Sequence, residues 1–322
     1  MKANGVVTLL AVLAWFFAST GKSYGAPVFT ANTSAASGTR NLSGVTDTRN
    51  STGSTPVSNA STSTQPEVFI DAGVPYGSAR GFSLSSAYAQ AGALHGSSRA
   101  HGEAIASKCC ATGQGHSSSF TSLSDAFTLH SNRFADGTAV TMNVLINISG
   151  SVSGSGTGPF WGSDVFWRAS ETVNGQNFTN TYAATYSSQN PVIVSGNGAF
   201  GSLFLPITVV LGQTVPVMLT LETEASAHET SSDGLFYIAE FSSDLSHTLA
   251  WEGINAITIN GVSASLSDFT GISVDTGFDF IKGFSAQPNN PVPEPSTWAL
   301  TLFGILLAAR TARGLTTKGE MK

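Results

Sequence analysis

The chain has 322 residues, of which 11% are charged and 34 are Gly, and its formal net charge is −6. The span 26–295 is more acidic, with eight Lys or Arg against nineteen Asp or Glu and a net charge of −11. A body this acidic repels phosphates, so we expect no nucleic acid partner. Few charges and many glycines favour an all-β exported protein over a helical one.

The N-terminus has the layout of a secretory signal peptide. A basic second residue precedes an apolar run and then a polar stretch that ends at Gly25. Small residues at positions −3 and −1 of the cut are typical of such peptides. We expect residues 1–25 to be removed by cleavage after Gly25. Cleavage after Ala26 is disfavoured because Pro27 would follow the cut.

The next segment, residues 26–66, consists mainly of Thr, Ser, Asn, Ala and Gly, with almost no large apolar side chains. Such a segment buries too little apolar surface to offset the entropy lost on ordering. The composition therefore predicts a disordered Ser/Thr-rich linker or a loosely held N-terminal arm.

Residues 67–287 are predicted to form one folded domain. Apolar and polar residues alternate over 140–148 and again over 217–227, which is the period of a strand with one buried face. Further strands are predicted at Ser118–Leu129, Pro191–Val194, Leu203–Val210, Leu235–Ser242 and Ser273–Ile281.

Two Asn-Gly dipeptides, Asn174-Gly175 and Asn260-Gly261, predict hairpin turns. The Ala-rich stretch 83–108 favours a helix by propensity, but glycines interrupt it, so we predict strands there. Many short strands joined by Gly-rich turns are typical of an antiparallel sandwich. The predicted fold class is an all-β, jelly-roll-like β-sandwich, flanked by a signal peptide and a C-terminal hydrophobic helix.

The last thirty residues combine a peptide motif, a hydrophobic segment and a basic end. Pro293, Glu294 and Pro295 precede the apolar run 298–309. As a helix this run spans roughly 18 Å. A bilayer core is about 30 Å thick, so we expect the segment to hold the chain in a membrane only briefly.

A basic tail follows this hydrophobic segment. Arg310 and Arg313 form a basic stop, and positively charged flanks stay on the cytoplasmic side of a membrane. The main body is therefore expected outside the cytoplasmic membrane, in agreement with the predicted signal peptide. A plain membrane anchor, or a terminal helix docked on the domain, is the alternative interpretation.

The order of motif, short hydrophobic helix and basic end over residues 288–322 resembles the PEP-CTERM sorting signal of Gram-negative bacteria. The resemblance implies two partners: the secretion translocon and a membrane transpeptidase of the exosortase type, which would process the motif. It also implies a protein that is transiently anchored in the inner membrane and then reaches the cell surface or extracellular matrix. Such proteins are associated with exopolysaccharide or biofilm.

No motif of a known catalytic or cofactor site occurs in the sequence: it lacks a nucleophile elbow, HExxH, a P-loop and a dinucleotide fingerprint. We therefore predict no enzyme activity, no cofactor, and no catalytic or metal site.

Soft-metal binding is one alternative, because His95, His101 and His116 lie near Cys109-Cys110 in the sequence. The Gly/Ser-rich setting favours solvated histidines instead. The adjacent cysteines could pair between two molecules or remain reduced, and both possibilities stay open.

The densest acidic group contains Glu222, Glu224, Glu229 and Asp233. Glu222 and Glu224 should share one face of a strand, where carboxylates could bind Ca²⁺. A solvated strand face is the favoured interpretation.

Carbohydrate binding or cleavage is the second functional hypothesis, beside a non-enzymatic surface or matrix protein associated with extracellular polysaccharide. Trp161 and Trp251 could stack on sugars, whereas Trp167 is predicted to be buried. A glycosidase needs two carboxyl groups in one cleft, and two pairs are candidates. These pairs are Asp164 with Glu171 and Glu222 with Glu224.

Overall fold

The computed structural model describes residues 28–39, 45–53, 56–63, 67–71, 74–106, 111–157, 161–188, 193–196, 200–231 and 236–284. Over these residues the protein is all-β with antiparallel strand pairing, and no α-helix occurs among them. One 3₁₀ turn lies at Leu266–Asp268. The strands are β1 (Val28–Thr39), β2 (Val45–Gly53), β3 (Val57–Ser63), β4 (Glu67–Asp71), β5 (Val74–Gln90), β6 (Ala93–Ala106), β7 (Ala111–Thr128), β8 (His130–Ser131), β9 (Ala139–Ile148), β10 (Ser151–Gly156), β11 (Trp161–Val173), β12 (Gln176–Ser187), β13 (Ile193–Ser195), β14 (Gly201–Val210), β15 (Thr214–Ser231), β16 (Phe236–Ile259), β17 (Val262–Ala264) and β18 (Phe269–Thr270).

Two large sheets contain most of these strands. The seven-stranded sheet has the order β13-β12-β11-β15-β7-β1-β2. The nine-stranded sheet has the order β14-β9-β16-β6-β5-β3, with β10 and β17 also paired to β16 and β4 to β5. The sheets pack face to face, with β7 against β5 and β6 and with β15 against β6 and β16. The arrangement is that of a β-sandwich.

Large apolar side chains fill one end of the sandwich interior. Trp167, Trp251, Phe127 and Phe280 are all buried. The Phe127 and Phe280 rings stack at 4.6 Å, and Trp251 meets Phe280 edge to face at 5.1 Å. The indole Nε1 of Trp251 donates a hydrogen bond of 2.8 Å to the Phe280 carbonyl, so its polar group is satisfied. Burial of such side chains provides about 1.5–3 kcal/mol each.

The other end of the interior is filled by Gly, Ala, Ser and Thr. A Cβ atom added at Gly81 would overlap the carbonyl of Gln114, and one added at Gly102 would lie 2.5 Å from the Gly113 carbonyl oxygen. Both contacts join backbones of opposite sheets. Stacked sheets usually lie about 10 Å apart, and the backbones here approach much more closely.

Buried hydroxyl groups connect the two sheets at this end. Ser83 donates a hydrogen bond of 2.9 Å to the Ala36 carbonyl, and Ser85 donates one of 3.0 Å to the Ser34 carbonyl. Each bond runs from β5 in one sheet to β1 in the other. The short serine side chains therefore reach across the interior without leaving their polar groups unpaired.

The prediction that residues 26–66 form a disordered linker is wrong, because the described residues of this span form β1, β2 and β3. β1 pairs with β7 along its whole length. Its inward residues Phe29, Ala31, Thr33 and Ala35 are buried. The prediction of disorder rested on the scarcity of large apolar side chains. The interior at this end of the sandwich is narrow enough for small side chains to fill it.

The predicted strand Ser273–Ile281 is also wrong, because this segment forms turns. The Ser273 hydroxyl accepts hydrogen bonds from the backbone N–H groups of Asp275 and Thr276 at 3.2 and 3.1 Å. Gly277 then adopts a φ of +71°, which favours glycine. Local side-chain to backbone bonding therefore replaces a strand ladder.

Both predicted Asn-Gly hairpins are confirmed. Asn174 and Gly175 connect β11 to β12 with φ angles of 50° and 78°, and Asn260 and Gly261 connect β16 to β17 with 51° and 80°. Positive φ at both central residues is the type I′ geometry that matches strand twist. The Ala-rich stretch 83–108 is confirmed as strand over its described part, in β5 and β6.

The close approach of the sheets predicts a large effect of one methyl group at Gly113. The Cβ of a Gly113→Ala variant would overlap the carbonyl oxygens of Arg80 and Glu103 in the opposite sheet. We expect a loss of about 3 kcal/mol of unfolding free energy, measured by urea denaturation, because backbone atoms cannot rotate away. Ser118→Ala, on the outward face of the same strand, should change it by less than about 0.5 kcal/mol. Equal urea midpoints for the two variants would contradict the close packing.

Candidate functional site

The predicted sorting and cleavage residues all lie outside the described residues: Gly25, Ala26, Pro293, Glu294, Pro295, Arg310 and Arg313. Cys109 and Cys110 also lie outside them. Within the described part of the chain, no helix is long and apolar enough to cross a membrane.

The solvent side of the seven-stranded sheet, called the outer face below, carries a continuous line of hydroxyl groups. Strand register places one Ser or Thr on each of six adjacent strands. This hydroxyl row consists of Thr52, Thr30, Ser122, Thr220, Ser170 and Thr179. Adjacent strands lie about 4.8 Å apart, so the row extends roughly 24 Å across the sheet.

Three hydrogen bonds join neighbouring residues of the row. The Thr30 and Ser122 hydroxyls lie 2.6 Å apart, and those of Ser170 and Thr179 lie 3.2 Å apart. Thr220 donates to the Ser170 carbonyl at 3.4 Å. Each hydroxyl has one donor and two acceptor sites, so the row keeps hydrogen-bonding capacity towards a ligand.

Charged and aromatic side chains lie beside the hydroxyl row on the outer face. Glu222 and Glu224 point to the same side of β15, as predicted. The Arg168 guanidinium donates to Glu222 at 2.6 Å and lies 5.9 Å from the Phe166 ring centroid. Glu224 lies 3.8 Å from the His116 ring nitrogen. Glu222 thus pairs with a guanidinium and Glu224 lies beside an imidazole ring, as expected of a solvated strand face.

Glu171 faces the interior, and sequence analysis missed this. Its side chain is 0% exposed, and neither carboxyl oxygen has a hydrogen-bond partner among the described residues. Leu219 and Phe178 lie beside it on the neighbouring strands. Burial raises the pKa of Glu171 to about 7. Because Asp164 is exposed on the outer face, the two cannot act as a carboxylate pair.

Two further polar groups lie on the same inner wall as Glu171. Asn180 pairs with Ala169, between Trp167 and Glu171 along β11. The Asn180 amide oxygen and the Trp167 indole nitrogen are buried and lack hydrogen-bond partners among the described residues. Glu171, Asn180 and Trp167 therefore form a polar patch inside an apolar wall. A buried unpaired polar group costs about 1–3 kcal/mol.

The three tryptophans considered as sugar platforms do not form an exposed aromatic surface. Trp167 is buried, as predicted, and Trp251 is buried as well. Trp161 is half-buried, and its ring fills the space beside Gly156 on β10 of the opposite sheet. A polysaccharide that contacts the outer face would therefore meet hydroxyl, amide and charged groups, together with the Phe166 ring.

The histidines considered as metal ligands lie apart in the sandwich. The His101 ring bonds Glu103 at 2.9 Å, and the His95 ring lies 5.6 Å from Tyr88. These two are on β6 of the nine-stranded sheet, whereas His116 is on β7 of the other sheet. Among the residues with described positions, no group of three or more His, Cys, Asp or Glu could hold a metal ion.

Comparisons with known protein families, with curated proteins and with solved structures found no match for this chain.

Glu171 predicts an unusual pH dependence of stability. Its pKa of about 7 exceeds the ordinary value of 4.5, so the folded state holds the proton more tightly than the unfolded chain. Stability should therefore fall as the pH rises from about 4.5 to 7, by about 3 kcal/mol from this group. Glu171→Gln should remove this fall and be more stable than the wild type at pH 8.

Urea denaturation at pH 4.5 and pH 8 gives the change in unfolding free energy between these two pH values for the wild type and for Glu171→Gln. The difference between the two changes is the contribution of the Glu171 carboxyl group. Glu222→Gln is the matched control, because that carboxylate lies on the outer face beside Arg168. If Glu171→Gln and the wild type show the same pH dependence, the buried carboxyl group is stabilised by a partner and the assignment is wrong.

Proposed function

We propose that this chain is an exported, non-enzymatic surface or matrix protein that associates with extracellular polysaccharide through the outer face. The hydroxyl row is the observation that supports this proposal. It presents aligned hydroxyl groups from six adjacent, hydrogen-bonded strands. Polysaccharide chains carry hydroxyl groups at regular intervals, and each matched pair forms a weak hydrogen bond of about 0.5–1.5 kcal/mol.

Many weak contacts suit a matrix protein better than one tight site. A polymer that touches several hydroxyls at once gains avidity, because each further contact is intramolecular. The net charge of −11 over residues 26–295 disfavours direct association with polyanions. We therefore propose a neutral polysaccharide, or one bridged by divalent cations.

The two ends of the sequence support export. Cleavage after Gly25 would leave β1 intact, because this strand begins at Val28. The described domain ends at residue 284, before the motif Pro293–Pro295. Processing of the motif by an exosortase-type transpeptidase would thus leave the whole sandwich in the mature protein. The secretion translocon would be the first partner and this transpeptidase the second.

Export predicts the two ends of the mature protein. Mass spectrometry of the protein from its producing cells should find an N-terminus at Ala26 and a C-terminus near Pro295. Replacement of Pro293, Glu294 and Pro295 by Ala should keep the basic tail and retain the chain in the inner membrane, whereas Pro288→Ala should process normally. A cytosolic chain that still ends at Lys322 would contradict the proposal.

Polysaccharide association predicts that the full chain sediments with the insoluble exopolysaccharide of its producing cells and releases no reducing sugar. Replacement of Thr30, Ser122 and Thr220 by Ala should weaken binding roughly tenfold or more, because three hydrogen bonds are lost.

The matched control replaces Thr141, Thr208 and Thr258 by Ala, a three-hydroxyl row on the solvent side of the other sheet. Equal losses in both triple variants would show that the outer face has no special role. Release of reducing sugar by the wild type would instead indicate an enzyme.

A further inference from the structure

A groove of about 370 Å³ opens in the outer face where β7 and β15 lie side by side. Its walls include Gln114 and His116 from β7 and Ser226 and His228 from β15. Small-molecule sites typically enclose about 300–1,000 Å³, so the groove has room for a compact ligand.

Two glycines explain why the groove opens at this position. Gln114 and His228 lie opposite each other, Gly38 lies beside Gln114 on β1, and Gly162 lies beside His228 on β11. The Gln114 amide nitrogen lies 3.0 Å from the place of a Cβ at Gly38, and the His228 ring occupies the space of a Cβ at Gly162. The two side chains therefore lean apart and leave a gap between them.

The groove walls provide hydrogen bonds without a permanent positive charge. None of its lining residues is Lys or Arg. Ser226 donates to the Asp164 carboxylate at 3.4 Å, and the carboxylate of Glu224 lies 3.8 Å from the His116 ring. Nearby carboxylates repel an anionic ligand, while amide, hydroxyl and imidazole groups suit a neutral ligand rich in hydroxyls.

The floor of the groove is formed by the strands themselves. Ser37 and Ala227 also line it, but both residues are buried and their side chains face the interior, like that of Ala35. The contacts with a ligand therefore come from the outward side chains of the groove walls.

We propose that the groove binds one or two sugar units of a neutral glycan, with the exposed side of the His228 ring against the apolar face of the sugar. Gln114, His116 and Ser226 bind its hydroxyl groups. An imidazole ring has an apolar body and polar nitrogens, so it can serve both functions. This inference rests on the proposed polysaccharide association and assigns its specific subsite, whereas the hydroxyl row provides the extended contact.

Isothermal titration calorimetry of the full chain tests this subsite, with glucose hexasaccharides of β-1,4, β-1,3 and α-1,4 linkage as probes. At least one hexasaccharide should bind. His228→Ala should weaken binding tenfold or more, because the ring and its hydrogen bonds are lost. His130→Ala is the matched control, since His130 is an exposed histidine on β8. It should bind like the wild type.

Gly162→Ala provides an independent arm, because it removes no polar group. Its new methyl group would displace the His228 ring towards the groove, so binding should fall by a similar factor. Thermal melts of both variants verify folding. If Gly162→Ala does not fold, His116→Ala replaces it, with the same expected loss.

The two proposals fail in different ways. If the wild type sediments with the exopolysaccharide but binds no hexasaccharide, or if the groove variants bind as the wild type does, the groove assignment is wrong and the matrix function stands. A response to Zn²⁺ but to none of the sugars would also overturn the groove assignment. If the wild type does not sediment with polysaccharide at all, the proposed function is wrong and the groove assignment falls with it.

Discussion

Strands β7 and β15 pair over eighteen consecutive positions without a register shift, from Thr128 opposite Thr214 to Ala111 opposite Ser231. β1 and β11 continue this ladder on either side, again without a shift. Successive side chains of a strand point to opposite faces of the sheet, and residues paired across neighbouring strands point to the same face. In a ladder without shifts, the face of one residue therefore determines the face of every residue paired with it. The hydroxyl row, the groove and the buried position of Glu171 all follow from this shared register.

The same ladder separates two kinds of interior. At one end the alternating positions hold Trp, Phe and Leu, and packing of apolar surface stabilises the contact between sheets. At the other end they hold Gly, Ala, Ser and Thr, and serine hydroxyls reach backbone carbonyls of the opposite sheet. The spacing between the sheets therefore follows the side-chain volumes along the strands.

The sequence predicted the strands whose alternation involves large apolar residues. The span 140–148 became β9 and the span 217–227 lies in β15, because Val, Ile and Leu mark the buried parity clearly. β1 escaped prediction because, after Phe29, its buried residues are small and its outward residues are equally small. The hydropathy of this segment then shows no alternation with a period of two. Only its pairing with β7 reveals which positions face the interior.

Glu171 could have been located by parity, since it shares its strand phase with Val165, Trp167 and Val173. The sequence interpretation instead treated Glu171 as a carboxylate that could pair with Asp164, because of its charge. The groove could not be predicted, because it depends on Gly38 and Gly162 lying beside Gln114 and His228 on four different strands. Such a coincidence is a property of the sheet register, and no single strand contains it.

The narrow, serine-rich end has a thermodynamic consequence. Heat capacity changes on unfolding arise mainly from newly hydrated apolar surface. On unfolding, the aromatic end exposes much apolar surface and the serine-rich end exposes little. The two ends therefore contribute unequally to the curvature of the unfolding free energy with temperature. On cooling, hydrophobic attraction weakens, whereas the bonds from Ser83 and Ser85 to the facing backbone do not depend on it. The tightly spaced half of this sandwich is therefore the half best suited to a cold environment.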